Sequence, residues 1–445
     1  MVKIRALNLR SALALFLAGG CWLTLPGAYC RTPAKSTSPN SAAARSSNSG
    51  VQKANKDRSA VITVAEGSHP ALVADAKNNL HVVFQQKGKS AKYPDIFYTH
   101  SLDHGALWSR AINISQTAGD SQEPAIAVEK NGALDLVWSD NSSDLASPDI
   151  FFARSTDMGE TWTKPQDISS SPGISAQPAI AVGPDDSIHI VWSDQINANN
   201  RILYACSKDS GTKWTPAATI DQEDSLKHTW VPAIAVDPEK VVHAAWSELD
   251  KKTGKTQVVY TRCINDEWSK PQNVSRTVDS AGRPALACSR ASVYLGWFLH
   301  TAAKGTDIYL TIGGPDGKFG NILRMSNEQG LAAEPQVTAD GNDIVITWSG
   351  EVNADNKSRN IFCAGSVDGG GEFCAPINVS NSPASARKPH ATIAGGKDFV
   401  VWEEKPAKSG ESLIKFAQFD IKGLPARPAP LIDPKHKASE SPTSH

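Results

Sequence analysis

Neither sign of charge is in surplus in this chain. Its 445 residues carry 45 Lys and Arg against 46 Asp and Glu, a formal net charge of -1. No long-range field therefore draws nucleic acid or an anionic bilayer, and neither is expected as a partner. Long apolar runs are missing too. After the N-terminus no stretch reaches the length of about 18 apolar residues that a membrane-spanning helix needs. Metal-hydrolase, nucleophile-elbow and phosphate-loop patterns are absent, so the expectation is no metal and no cofactor. Cysteine is scarce, at seven residues. Cys206, Cys263 and Cys288 have no partner by spacing and read as buried apolar fillers. Cys363 and Cys374 flank a turn at nearly mirror-related positions, where a hairpin could bring them within disulfide distance.

The N-terminus has the layout of a secretory signal peptide, assigned to residues 1–28. Lys3, Arg5 and Arg10 precede an apolar run from Ala12 to Ala18, followed by Gly19 and Gly20. Export to an extracellular, periplasmic or cell-surface location is expected. Leu17-Ala-Gly-Gly-Cys21 resembles a loose bacterial lipobox, so a lipid anchor on Cys21 is the alternative to ordinary cleavage and the only membrane attachment foreseen. Residues 29–58, rich in Ser, Ala, Asn and Lys, lack the apolar side chains to offset the entropy of ordering and read as a disordered linker. The globular region is assigned to residues 59–421, and 422–445 to a solvated, disordered tail.

Within residues 59–421 one unit recurs. Pro-Ala-Ile-Ala-Val begins at Pro124, Pro178 and Pro232, with weaker forms at Pro70, Pro284, Pro335 and Pro389, and each is followed by one aromatic: Phe84, Trp138, Trp192, Trp246, Trp297, Trp348 or Trp402. Seven copies, each of about 50 residues, fall within the periods that mark solenoids and propellers. Each copy holds four short runs of alternating apolar residues divided by Gly, Asn, Asp and Ser, the pattern of consecutive antiparallel strands. The predicted fold is all-β, a seven-bladed β-propeller of four-stranded antiparallel blades. The last copy lacks a fourth strand, and the spare segment from Ala60 to Val64 is expected to supply it and so close the ring.

Between third and fourth strands lies a compact turn. Ser101-Leu-Asp103-His-Gly105-Ala-Leu-Trp108 returns with Asp157, Gly159 and Trp162, with Asp209, Gly211 and Trp214, and with Asp368, Gly370 and Phe373. The Asp accepts backbone N–H bonds inside the turn, the Gly takes a positive φ, and the aromatic packs beneath, so these residues read as structural. The turns resemble the Asp-box, or BNR repeat, of the sialidase-like β-propeller superfamily, and the resemblance runs over the whole repeat region. It decays to Ile264-Asn-Asp-Glu-Trp268 and Pro315-Asp-Gly-Lys-Phe319, and the seven copies exceed the six blades of the family's sialidases. Asp-box propellers include sialidases, other glycoside hydrolases and non-catalytic binding proteins, so the resemblance speaks to fold before activity.

An antiparallel meander places the loops entering each first strand, and those leaving each second strand, on the face opposite these turns. Two rings of candidate residues follow by register. Before each proline stand His69, Glu123, Gln177, Val231, Arg283, Glu334 and Lys388. Two places beyond each core aromatic stand Gln86, Asp140, Asp194, Glu248, Leu299, Gly350 and Glu404. Loops converging from several blades on a rigid scaffold can form a polar pocket there, with Trp230 as an exposed platform for a sugar ring. The sialidase resemblance implies an arginine trio gripping a carboxylate, a Tyr nucleophile with a Glu base, and an Asp acid/base. Arg387 and Arg283 answer best to the arginines, with Arg201 and Arg359 able to complete the set, and Tyr93 with Glu123 to the nucleophile and its base. His81, His189 and His243 share one register on separate blades and read as structural. The sequons at Asn113 and Asn273 recur at fourth-strand ends and read first as repeat residues. The reading is an exported propeller that binds a glycan or other extracellular ligand on the face away from the Asp-boxes. Alternatives are an exo-acting sialidase-type hydrolase of acidic sugars and a non-catalytic scaffold for an extracellular protein.

Overall fold

A computed structural model of the chain describes residues 60–432 except 89–90, 143–146, 197–198, 222–227, 302–304, 327–329, 353–357 and 407–409. The expected signal peptide, Cys21 and the whole linker lie outside the described residues. All regular structure among those described is strand. Blade 1 is built from Ser68–Ala74, Leu80–Lys87, Pro94–Ser101 and Ile112–Asn113 in simple antiparallel order, and six further sheets follow the same plan. First strands of neighbouring blades touch in an unbroken circle, that of blade 7 against that of blade 1. The fold is a seven-bladed β-propeller.

Ring closure takes the expected form. Ile62–Glu66 pairs antiparallel with Leu413–Phe419, the third strand of blade 7, in the register Ile62 with Phe416 and Glu66 with Leu413. Beyond Ile421 the chain departs from the solvated tail read from sequence. Ala426–Arg427 pairs with Phe373–Cys374 of blade 6, and Leu431–Ile432 pairs with Ile322 and Leu323 at the outer edge of blade 5. The polar, proline-rich composition hid two two-residue bridges, which rest on backbone hydrogen bonds and need no apolar pattern.

The core lies between blades. In one cluster Trp192, Ile188 and Ile190 from the second strand of blade 3 pack on Val137, Ile150 and Phe152 of blade 2, and the other clusters repeat the scheme. Alternation puts the core aromatic on one face of its strand, where it fills the gap between sheets. Trp138, Trp192, Trp246 and Trp402 are 0% exposed.

The Ser-x-Asp turns fasten adjacent blades. In the first, Ser101 Oγ donates to Asp103 Oδ1 at 2.8 Å and accepts from Gly105 N, while Leu107 N donates to Asp103. These bonds hold the solvent-facing carboxylates of Asp103, Asp157, Asp209 and Asp368 below the usual range. The glycines lie against the previous blade: Gly105 on Phe416, Gly159 on Tyr98, Gly211 on Phe152, Gly370 on Ile312. The aromatic closing each of the first three turns meets the same neighbour edge-on, Trp108 with Phe416 and Trp162 with Tyr98 at 5.3 Å, Trp214 with Phe152 at 5.1 Å. In the two decayed turns Trp268 on Tyr204 and Phe319 on Tyr260 keep this contact. Gly159 has φ of 86°, and a Cβ there would lie 2.1 Å from Tyr98 Cε1. Gly159→Ala is expected to cost about 2–5 kcal/mol from strained backbone and overpacking together. Urea unfolding of the variant checks this, and an unmoved midpoint would refute it.

Cys363 and Cys374 remain buried thiols rather than a disulfide. Cys374 Sγ accepts Gly365 N at 3.3 Å. Ser109, Thr163, Thr215 and Ser269 accept the matching N–H in four other blades, so Cys374 occupies a repeat position with its own hydrogen-bonding task. The register-sharing histidines are structural as read: His81, His189 and His243 each bond the hydroxyl of Tyr98, Tyr204 or Tyr260 at 2.7 Å. Ser115 and Ser275, the third residues of the two sequons, likewise accept Ile96 N and Val258 N.

Candidate functional site

Every first strand carries a bulge at the same place. In blade 3 the register passes from Ala176 opposite Ser193 to Ala179 opposite Val191, so Gln177 and Pro178 together face Trp192, and the other blades repeat this. Proline has no N–H for the ladder and biases the preceding residue toward extended backbone. The bulge nevertheless holds that residue in the left-handed region: φ is 51° at His69, 54° at Glu123, 56° at Gln177, 51° at Val231, 50° at Arg283, 57° at Glu334 and 51° at Lys388. Such strain costs of order 1–3 kcal/mol per residue and re-aims the side chain out of the sheet. Seven bulges on seven first strands therefore form one ring around the axis, on the face away from the Ser-x-Asp turns.

The ring is knitted from blade to blade. Glu123 accepts Gln177 N at 2.7 Å, Gln177 Oε1 accepts Val231 N at 2.8 Å, and Glu334 accepts Lys388 N at 3.0 Å. Val231 has no acceptor to pass on, and Ser247 Oγ serves Arg283 N at 2.9 Å in its place. Lys388 cannot accept, and Glu403 stands 3.5 Å from His69 N and 3.3 Å from Lys388 Nζ. Glu123 is partly accessible, yet protein surrounds it, and this desolvation pushes its carboxyl pKa up although Gln177 N, Arg283 and Lys388 pull the other way. Burial, with the charge of Lys388, lowers the imidazole of His69 to about 3. Arg283 is the exposed member of the ring, and among the described residues its guanidinium has no hydrogen-bond or ion-pair partner.

The second ring is not a single lining. Asp140 is 0% exposed and accepts Ser121 Oγ at 2.5 Å, Thr117 Oγ1 at 2.8 Å and Ser142 N at 2.7 Å. Asp194, also 0% exposed, accepts Ser175 Oγ at 2.7 Å. Neither can reach a ligand, which corrects their assignment as binding residues; a carboxylate two places beyond a core Trp shares its buried face. Glu248 and Glu404 are half-buried and stand 3.5 Å from the indole nitrogens of Trp246 and Trp402. Trp230 is half-buried, not the exposed shelf expected of it.

The sialidase-type constellation is not assembled. Among the described residues no hydrogen bond joins Tyr93 to Glu123. Lys92 Nζ lies over the Tyr93 ring at 4.8 Å, while Glu123 is engaged with Gln177 N. The arginines divide: Arg283 belongs to the axial ring, Arg201 bears on Asp221, and Arg387 faces Arg359. Glu403 was missed from the sequence because Glu404, one place on, held the position counted. No group of three or more metal-ligating side chains occurs among the described residues.

No protein-family model and no curated protein matches the sequence. Solved structures do. The polysaccharide lyase Uly1 aligns with TM-score 0.55 at 10% identity, over 81% of this chain and 91% of that one. An ulvan lyase of polysaccharide lyase family PL25 aligns with TM-score 0.51 at 10% identity, over 71% and 81%. A protein of unknown function from Dyadobacter fermentans aligns with TM-score 0.52 at 14% identity, over 70% and 98%. The likeness is one of fold.

Proposed function

We propose that this chain is an exported, sialidase-like propeller that binds a glycan on the face opposite its Ser-x-Asp turns. The observation that carries the reading is the axial ring: seven strained bulges bring Arg283, Lys388, His69, Glu123, Gln177 and Glu334 around one axis, and among the described residues the Arg283 guanidinium is uncommitted. Fixed polar groups on a rigid scaffold suit the hydroxyl and carboxylate groups of a saccharide. Two of the similar folds are polysaccharide lyases, in keeping with a polysaccharide ligand. Binding is favoured over hydrolysis because, among the described residues, no base is hydrogen-bonded to Tyr93.

The purified protein is expected to be retained by at least one member of a panel of immobilised neutral and acidic polysaccharides. Arg283→Ala should weaken that affinity about tenfold, or 1.4 kcal/mol. Failure to retain any of them would sink the reading. Turnover of a fluorogenic sialoside, lost in Arg387→Ala, would replace it with the hydrolase.

A further inference from the structure

Five of the blades end in a fourth strand of two residues: Ile112–Asn113, Gln166–Asp167, Ala218–Thr219, Gln272–Asn273 and Ile377–Asn378. Blade 5 does not. Its fourth strand, Phe319–Arg324, runs for six residues, because the decayed turn before it is a tight hairpin. Gly314 N donates to Lys318 O at 3.2 Å and Gly317 N to Gly314 O at 2.9 Å, so pairing already starts at Gly313 with Phe319. A long outer strand offers unpaired backbone groups to any other chain. Blade 7 also ends long, in Ile62–Glu66, but a bulge between Thr63 and Ala65 breaks the run and Glu66 puts a charge on it. The edge of blade 5 keeps a regular register from Ile322 to Arg324 and is apolar at Ile322 and Leu323.

This edge is covered by the chain's own C-terminal segment. Ile432 stands opposite Ile322, Leu431 opposite Leu323, and Arg324 N donates to Pro430 O at 3.1 Å. The cover is short. Pro428, Pro430 and Pro434 have no N–H to give, which limits how far the ladder can lengthen along the tail. Attachment is what holds it. Ala426–Arg427 pairs with Phe373–Cys374, and Ala429 packs on the cluster of Phe373 and Ile344, so the next residues reach the edge of blade 5 at an effective concentration on the order of millimolar.

We propose that the outer edge of blade 5 is a self-pairing surface, which residues 430–432 keep closed in the monomer and which takes a second copy of this chain when they leave. Backbone geometry sets the register. Arg324 N points outward to Pro430, so by alternation Ile322 N points outward too. Two such edges meeting antiparallel about Leu323 match outward groups with outward groups: Ile322 faces Arg324 of the second copy, and Leu323 faces Leu323. No like charges oppose each other, and each Arg324 is already answered by Asp307 Oδ2 at 2.6 Å. An edge that meets its like about a two-fold axis gives a closed dimer and no fibre. With so short a paired run, the contact belongs to the weak, transient class of interfaces.

Sedimentation equilibrium of the full chain over about 10–500 µM tests this. Leu431→Pro with Ile432→Pro, which strips both N–H groups from the cover, should raise the dimer association constant at least about tenfold over wild type. Adding Leu323→Lys sets like charges opposite each other and should restore the monomer, as Leu323→Glu should, while an equimolar mixture of those two chains should pair again. A peptide spanning residues 426–433 should dissolve the dimer of the proline variant. The wild-type chain, at the top of the range, should show the same dimer weakly and lose it with Leu323→Lys, a reading that does not depend on the stability of the proline variant. A proline variant that stays monomeric while its thermal unfolding matches wild type would overturn the proposal. So would a dimer indifferent to Leu323→Lys, since the contact would then lie elsewhere. A wild-type dimer abolished by the two prolines would replace edge pairing with exchange of the tail between copies.

Discussion

A chain begun at Ser68, without the closing strand, is expected to lose on the order of 5 kcal/mol or more of stability and to associate through blade 7. Ile62–Glu66 completes that blade by pairing with Leu413–Phe419. Ile62, Val64 and Ala65 pack on the cluster of Leu80, Phe84, Phe399, Ile414 and Phe416, which also joins blade 7 to blade 1. Phe416 meets Gly105 and Trp108 of the first blade's turn. Deletion therefore bares a long edge strand and loosens the one joint not made by continuous chain. Urea unfolding monitored by tryptophan fluorescence, with size-exclusion chromatography, measures both effects against a chain begun at Ser59. A peptide spanning residues 59–67, added in trans, should restore much of the loss. A monomeric truncated chain with an unchanged midpoint would show that the ring does not depend on this strand.

The number and order of the blades were legible because each copy writes the same local physics: a proline at the bulge, one aromatic two strands deep in the core, and a glycine where a turn presses on its neighbour. Gly159 and Trp162 can be read from one turn alone, since their bonds lie within a few residues. The site was harder. Glu123 and Glu334 were found by register, but their acceptors' partners, Gln177 N and Lys388 N, lie 54 residues away in the next blade, a contact no local pattern encodes. Asp140 and Asp194 show the opposite failure. Their polarity suggested an exposed rim, whereas hydroxyls at Ser121 and Ser175 from the adjoining strand made burial tolerable.

The histidine share of stability should fall as pH drops from about 6.5 toward 4, because several histidines are held neutral inside the fold. Burial lowers His81, His189 and His390 to about 4 and His69 to about 3, and lowers His243 as well. Their closest companions temper this without reversing it: Asp75 stands 3.8 Å from His81 and Asp237 3.3 Å from His243, while Lys388 adds to the effect at His69. In the unfolded chain each takes a proton near 6.5, so their contribution is complete above that value and drains away below it, by about 1.4 kcal/mol per pH unit for each histidine. Acids oppose the trend. Burial raises Asp398 and Asp135 to about 7, the latter although Arg154, shared with Glu129, lies 2.7 Å away. Such groups bind protons in the fold before the unfolded chain does, and so add stability as pH falls from 7 toward 4. Burial raises Glu123, Asp120 and Asp221 as well, so five acids stand against five histidines and the net slope stays below the roughly 4 kcal/mol per pH unit of three uncompensated histidines. Equilibrium urea unfolding at a series of pH values measures the slope. His81→Gln, which keeps a partner for the Tyr98 hydroxyl, should make the variant gain stability relative to wild type by about one histidine's share as pH falls, whereas an unchanged difference between the two from pH 7 to 5 would show that this imidazole is protonated in the folded state.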